Sequence, residues 1–440
     1  MALTGRTGLL AALGAIAVLV APRPDAAALG LLLVLAALVV VDLLLAGSVR
    51  ALRLERSGEQ RVRLGESARV TLTVTNPGPR RVRGLIRDAW PPSAGARPRH
   101  QRLDVPAGER RRVVTTLTPV RRGDRASAAV TVRSVGPLGL AARQGSHAVP
   151  GTVRVLPPFL SRRHLPAKLS RLRELEGRTP VMIRGQGTEF DSLREYVPGD
   201  DVRSIDWRAT ARRHDVVVRT WRPERDRRVL IVLDTSRTSA GRVGVDPTSA
   251  DPSGWPRLDW SMDAALLLAA LAARAGDRVD LLAHDRTVRA WVSGASRTEL
   301  LPALVDAMAP LEPELVEADA EGMVAAVLAR ARHRCLVVLL TDLNPAALEE
   351  GLLPVLPQLA SRHLVLLASV SDPRVAAMAR GRDTVEEVYD AAAAEHLRSA
   401  RRRMTARLRR HGVEVVDAVP ERIAPALADA YLALKAAGRL

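Results

Sequence analysis

The chain has 440 residues, 26% charged and 47% hydrophobic, which excludes a mainly disordered protein and leaves apolar surface for roughly two to four separate cores. Its 66 basic and 48 acidic residues give a net charge of +18, carried almost wholly by arginine, since lysine occurs only at Lys168 and Lys435. Aromatic residues make up 2% and the single cysteine is Cys335, so base-stacking platforms, an intrachain disulfide and a multi-cysteine zinc site are all excluded.

Two uncharged stretches open the chain. Residues 7–22 would span about 24 Å as a helix, and residues 26–46, broken only by Asp42, about 30 Å, enough to cross a bilayer. A lone Arg6, an apolar run and the small residues Ala26, Ala27 and Ala28 also fit a signal peptide. Arg50, Arg53, Arg56, Arg61 and Arg63 follow the second stretch, whereas Arg23 in the intervening turn is offset by Asp25. Because positive residues stay inside, the expectation is a transmembrane helical hairpin over residues 1–47, with two helices in a bacterial inner membrane and the soluble domains in the cytoplasm. Asp42, about one turn from the cytoplasmic end, is expected to reach the interface rather than to form an intramembrane site.

Residues 48–157 read as an all-β module. From Arg61 to Thr75 apolar Val62, Leu64, Val70, Leu72 and Val74 alternate with polar neighbours, the period of a half-buried strand. Asn76-Pro77-Gly78 is a turn, and further short β-branched runs follow at 82–86, 112–117, 129–135 and 152–155. The pattern predicts an immunoglobulin-like β-sandwich acting as a spacer or partner contact.

Residues 158–227 differ from their surroundings. Between Gly185 and Arg212 lie Glu189, Phe190, Arg194, Tyr196, Gly199, Asp200, Asp201, Arg203, Asp206, Trp207 and Arg212. Pro198-Gly199-Asp200-Asp201 reads as a turn in which Asp201 caps a short helix from Val202, and the mixed charges predict a salt-bridge network around Phe190, Tyr196 and Trp207. The carboxylates Glu189, Asp191, Asp200, Asp201 and Asp206 also admit a metal-dependent hydrolase. Against this stand nearly as many arginines, which neutralise the acids and favour a clamp or docking surface. The run G-T-E-F-D-S-L-R-E-Y-V-P-G-D-D-V-R-S-I-D-W-R-A-T-A-R resembles the signature of the bacterial family of unknown function DUF58. That resemblance implies a membrane-bound protein with a von Willebrand A-like domain, commonly paired with a MoxR-type AAA+ ATPase.

Residues 228–440 predict a doubly wound α/β domain. Continuous apolar runs at 229–233, 279–283, 335–340, 364–370 and 413–416 alternate with helical patterns at 260–275, 298–308, 321–332, 345–361, 385–410 and 424–437. Residues 287–292 would add an antiparallel edge strand. In such a sheet ligands bind beyond the carboxyl ends of the strands, where Asp234 and Asp342 fall. The loop Asp234-Thr235-Ser236-Arg237-Thr238-Ser239 is similar to the D-x-S-x-S loop of von Willebrand A domains, with Thr238 for the second serine. Asp234, Ser236, Thr238 and Asp342 would then hold Mg²⁺ with waters completing the shell. Residues 316–320 lack the threonine such domains carry there, and Arg237 could replace the cation. The Pro/Gly/Ser/Asp-rich stretch 246–256 would be a lid or a disordered loop.

Arg398, Arg401, Arg402, Arg403, Arg407, Arg409 and Arg410 crowd one helix and suggest a solvated face, or a surface for anionic lipid or an acidic partner. No nucleic-acid partner is expected. Together these readings predict a membrane-anchored interaction protein, not an enzyme, with the hydrolase as the alternative.

Overall fold

The computed structural model describes residues 2–178, 189–198, 200, 202–213, 215–222, 227–246 and 254–440. The backbone gathers into two units, Met1–Pro158 and Phe159–Leu440, with Pro157 and Pro158 at the junction.

In the first unit the uncharged stretches form helices Gly5–Leu19 and Pro24–Leu45. Pro24 opens the second helix, where its missing N–H costs nothing. The two pack closely at Gly14, where a Cβ would come within 2.5 Å of the Leu31 side chain. Of the two, Pro24–Leu45 is long and apolar enough to cross a membrane, whereas Gly5–Leu19 is a shorter apolar helix of 15 residues. That length corresponds to about 22 Å, short of a hydrocarbon core of about 30 Å.

The β-module consists of two sheets. Arg53–Gly58, Ala68–Thr75 and Arg110–Leu117 form an antiparallel three-stranded sheet. The larger sheet is built on Val82–Asp88, Gln101–Val105 and the long strands Gly123–Val135 and Ala141–Leu156. The alternating residues Leu72, Val74, Val113, Ile86, Leu103, Val130 and Val132 meet in one apolar core, as the period of two requires. Within it Arg56 and Asp88 form a buried bidentate pair, both contacts at 2.9 Å, with Trp90 Nε1 donating to the same carboxylate.

Asp42 is fully buried. Its carboxylate accepts the backbone N–H groups of Leu138 (2.7 Å), Leu140 (2.7 Å) and Ala141 (2.8 Å), in and just after the turn between the two long strands. Gly136 permits this approach, since a Cβ there would fall 2.2 Å from Asp42 Oδ1. Asp42 is thus a structural residue at the helix end.

The second unit is a six-stranded sheet in the order Val288–Val292, Arg278–His284, Arg228–Asp234, Leu336–Leu340, Leu364–Val370, Glu414–Ala418. All pairings are parallel except that of the edge strand Val288–Val292, which is antiparallel. Central strands buried on both faces explain the unbroken apolar runs. Helices Arg257–Arg274 and Pro420–Ala436 pack against each other; the first is buried from Leu258 to Ala273. Residues of Ala320–Arg330, Leu353–Ala360 and Val385–Arg410 share a core with strands Arg228–Asp234 and Leu336–Leu340. The helix expected over 345–361 is broken by a π turn at Leu348–Leu352, because Pro354 and Pro357 cannot donate to the carbonyls one turn back. Cys335 is buried, and burial pushes its thiol up to about 11, so it is inert packing.

Candidate functional site

The central strand Arg228–Asp234 ends at Asp234, where the chain leaves the sheet through a short 3₁₀ turn, Arg237–Ser239. Asp234 organises this loop. Its Oδ1 accepts the N–H of Ser236 at 2.8 Å, and its Oδ2 accepts the hydroxyls of Thr238 at 2.8 Å and Thr341 at 2.6 Å. The Ser236 and Thr238 hydroxyl oxygens lie 3.2 Å apart. The residues expected from the loop spacing therefore do come together, joined by Thr341 from the end of the neighbouring strand.

Asp342 belongs to a different constellation. Its Oδ1 accepts from Arg401 Nη1 at 2.9 Å and from Ser369 at 3.3 Å, and its Oδ2 lies 3.5 Å from Arg257 Nη1. Arg401 also donates to Asp417 at 2.8 Å and to Ser369 at 2.9 Å. Burial works against the Arg401 charge, but Asp417 and Asp342 outweigh it and raise its pKa above the ordinary value. Arg257 ties the two halves together through Thr238 O at 3.4 Å and Val370 O at 3.2 Å. Arg237, expected as a replacement for the cation, instead faces Glu317 at 3.4 Å.

This arrangement bears on Mg²⁺. A divalent cation needs several converging oxygen ligands with uncompensated negative charge. Asp234, Ser236 and Thr238 converge, but the Asp342 carboxylate is turned onto two guanidiniums that already supply its counter-charge. All four expected ligands line one cavity, and no cluster of three or more His, Cys, Asp or Glu suited to a metal occurs among the described residues.

Around these groups lies a cavity of about 570 Å³ at the carboxyl ends of the strands. Its walls mix charge with apolar surface: Asp234, Asp319, Asp342, Arg237 and Arg257 line it together with Met323 and Leu348. The loop lacking the expected threonine is there, its Val316 carbonyl accepting the Arg237 N–H at 2.8 Å. Asp285, also on the wall, is buried against solvent, yet its carboxyl is held below the usual range by the N–H groups of Thr287 and Arg286, the Thr235 hydroxyl and Arg289. Sequence reasoning missed Thr341, Asp285 and Arg257; Thr341 directly precedes Asp342 and was the one within reach of pattern.

The signature segment forms a hairpin, Glu189–Glu195 with Val217–Arg222, and a short helix, Trp207–Arg213. Two of its acids, Asp200 and Asp206, are engaged locally. Asp200 pairs with Arg194 at 2.5 Å and accepts the Val197 N–H at 3.0 Å. Asp206 pairs with Arg219 at 2.8 Å and caps the helix by accepting the N–H groups of Arg208 and Ala209. Arg219 and these N–H groups hold the Asp206 carboxyl below its usual range. Asp206 thus caps Trp207–Arg213, while a 3₁₀ turn Val202–Ser204 begins where the short helix was expected; its expected cap Asp201 lies with Gly199 outside the described residues, as do the side chains of Glu189, Phe190 and Asp191. Tyr196 is half-buried, while Arg203 and Arg212 are exposed. Trp207, expected inside the network, is 66% exposed, with Val197 and Val202 also open to solvent. Residues 247–253 of the expected lid lie outside the described residues.

Solved structures similar to parts of the chain include the CARDB domain of a Pyrococcus furiosus protein in complex with di-metal ions, 17% identical over 24% of this chain and 86% of that one at a TM-score of 0.19. A β-glucosidase from Listeria innocua is 18% identical over 22% of this chain and 16% of that one at 0.15. Uncharacterized proteins from Mycobacterium bovis and Mycobacterium tuberculosis are 28% identical over 196 residues, 44% of this chain. The match spans 58% of the length of these relatives. The model of the family described as protein of unknown function DUF58 matches residues 192–414, from the signature hairpin to the last strand of the sheet. By that match, over half of its length, the chain belongs to the DUF58 family.

Proposed function

We propose that this chain is a membrane-anchored, non-enzymatic interaction protein whose second unit, a von Willebrand A-like domain, receives a protein partner at the carboxyl ends of its strands. The observation that carries this reading is the cavity of about 570 Å³ that opens beside Asp234, Ser236 and Thr238. Its loop is held by the hydrogen bonds of Asp234, and Asp342 is paired with Arg257 and Arg401, as suits a rigid recognition surface. The sheet order and the Asp-x-Ser-x-Thr loop at the end of its central strand support the von Willebrand A likeness. The exposed Trp207, with Val197 and Val202, offers a second, aromatic contact of the kind that anchors interfaces. Pro24–Leu45 is the anchor, and the arginines after it favour both units on the cytoplasmic side. A MoxR-type AAA+ ATPase is the partner the family resemblance implies.

Docking on this surface does not call for a divalent cation, because Arg257 and Arg401 already neutralise Asp342. The test is binding of the full chain, in detergent, to the MoxR-type ATPase of the same organism. Asp234→Ala removes the acceptor of two loop donors and of Thr341 and is expected to weaken binding at least about tenfold. Wild-type binding is expected to persist in EDTA. Unchanged binding by Asp234→Ala would overturn the docking site, and loss in EDTA would return a cation to it.

A further inference from the structure

The Asp42 carboxylate sits three residues before the end of a 22-residue apolar helix, about 4–5 Å inside the boundary if that helix fills the hydrocarbon core. A carboxylate at that depth is costly unless donors reach it, and the donors come from the turn at residues 136–141. The same turn holds the start of the other helix. The Thr4 hydroxyl donates to Gly139 O at 2.6 Å, the Thr7 hydroxyl to Leu140 O, and Ala2–Leu3 pairs with Ala141 and Ala142. The turn is therefore bolted between two helix ends at the level of Asp42.

What it presents outward is apolar. Leu138 is 45% exposed, Pro137 is exposed, and Leu3, Leu44 and Leu45, at the helix ends tied to this turn, are open side chains as well. Basic groups edge this patch: the Arg6 guanidinium lies over Gly139, and Arg80 donates to the Leu44 carbonyl. Apolar tips flanked by arginines match a bilayer's headgroup and acyl boundary.

We propose that the turn at residues 136–140 is inserted in the membrane interface, with Pro137 and Leu138 against lipid, so that the β-module stands on the bilayer in one fixed orientation. This rests on Pro24–Leu45 being a membrane span. Strand Gly123–Val135 has 13 residues, about 40 Å at about 3.3 Å each, which would carry the loop bearing Val120 far into water.

The experiment uses the full chain with the buried Cys335 replaced (Cys335→Ala), reconstituted in phosphatidylcholine/phosphatidylglycerol vesicles and spin-labelled at single cysteines. Val34→Cys on the apolar helix and Val120→Cys on the distal loop are the lipid and water references; both side chains are 57% exposed. Leu138→Cys and Pro137→Cys are independent reporters, so one failing to fold leaves the other. Labels at 137 and 138 are expected to collide with oxygen several-fold more, relative to a water-soluble nickel chelate, than the label at 120. Water-like collision at 137 and 138 with lipid-like collision at 34 would overturn the inference alone. Water-like collision at 34 as well would overturn the membrane span and the inference with it.

Discussion

Asp263 is a carboxylate on the buried helix Arg257–Arg274, and 5% of it is exposed. It accepts the N–H of Ser161 at 3.1 Å, fixing the segment that enters the second unit. Burial dominates these bonds and pushes its pKa from 3.8 to about 6. The folded state thus holds its proton more tightly than the unfolded chain, so stability falls as pH rises from about 4 to about 6, and the full cost is present above that. A shift of that size corresponds to about 3 kcal/mol. Asp263→Asn keeps an acceptor for Ser161 without the charge. Its stability relative to wild type, from urea unfolding, should rise by about this amount between pH 4 and pH 7; a pH-independent difference would contradict the assignment. Such a residue was invisible in the sequence, because nothing in its neighbourhood distinguishes an inward from an outward acid on a helix this apolar. Asp234, Ser236 and Thr238 were legible because their spacing is local. Arg257 and Arg401 were not, since each reaches Asp342 from a distant element.

Among the elements, the parallel strands were the most readable, since burial on both faces writes itself as an apolar run and Leu364–Val370 coincides with its predicted bounds. The π turn at Leu348–Leu352 was not, because prolines in a helical pattern signal a disturbance without its kind. The arginine-rich helix Val385–Arg410 shows a different limit. Arg401 turns inward to Asp342 and Asp417, Arg407 faces Glu349, and Arg398 and Arg402 share Glu395. A row that reads as one basic face is in large part divided among intramolecular acids, which weakens its reading as a lipid surface. Arg401 fastens this helix to the ends of three strands, with its side chain 12% exposed. Arg401→Ala would leave Asp342 uncompensated apart from Arg257, and should destabilise the second unit by about 2–4 kcal/mol, somewhat below a fully buried pair because Asp417 is partly open. Urea midpoints with an unchanged slope would measure it; a loss under about 0.5 kcal/mol would show that Arg401 is dispensable.

At the scale of the whole molecule, each unit has its own core: Val74, Ile86, Val130 and their neighbours in one, Leu230, Val337, Leu367 and theirs in the other. Composition announced several cores, and the change from period-two alternation to apolar runs marked where their character changes. The attachment of the helix ends to the β-module was not legible, because it depends on backbone N–H groups of a turn about a hundred residues from Asp42. Separate cores predict separate melting. Calorimetry of the full chain in detergent should show two transitions, each answering to substitutions in its own unit. Asp42→Ala orphans three N–H donors and, at about 1–3 kcal/mol for each donor left buried, should cost about 3 kcal/mol or more, lowering the transition of the unit that holds the helices and leaving the other in place. Asp263→Asn at pH 7 should do the reverse, raising only the transition of the α/β unit. A single transition shifted by both would mean that the two units unfold as one cooperative body, and would rule out independent cores.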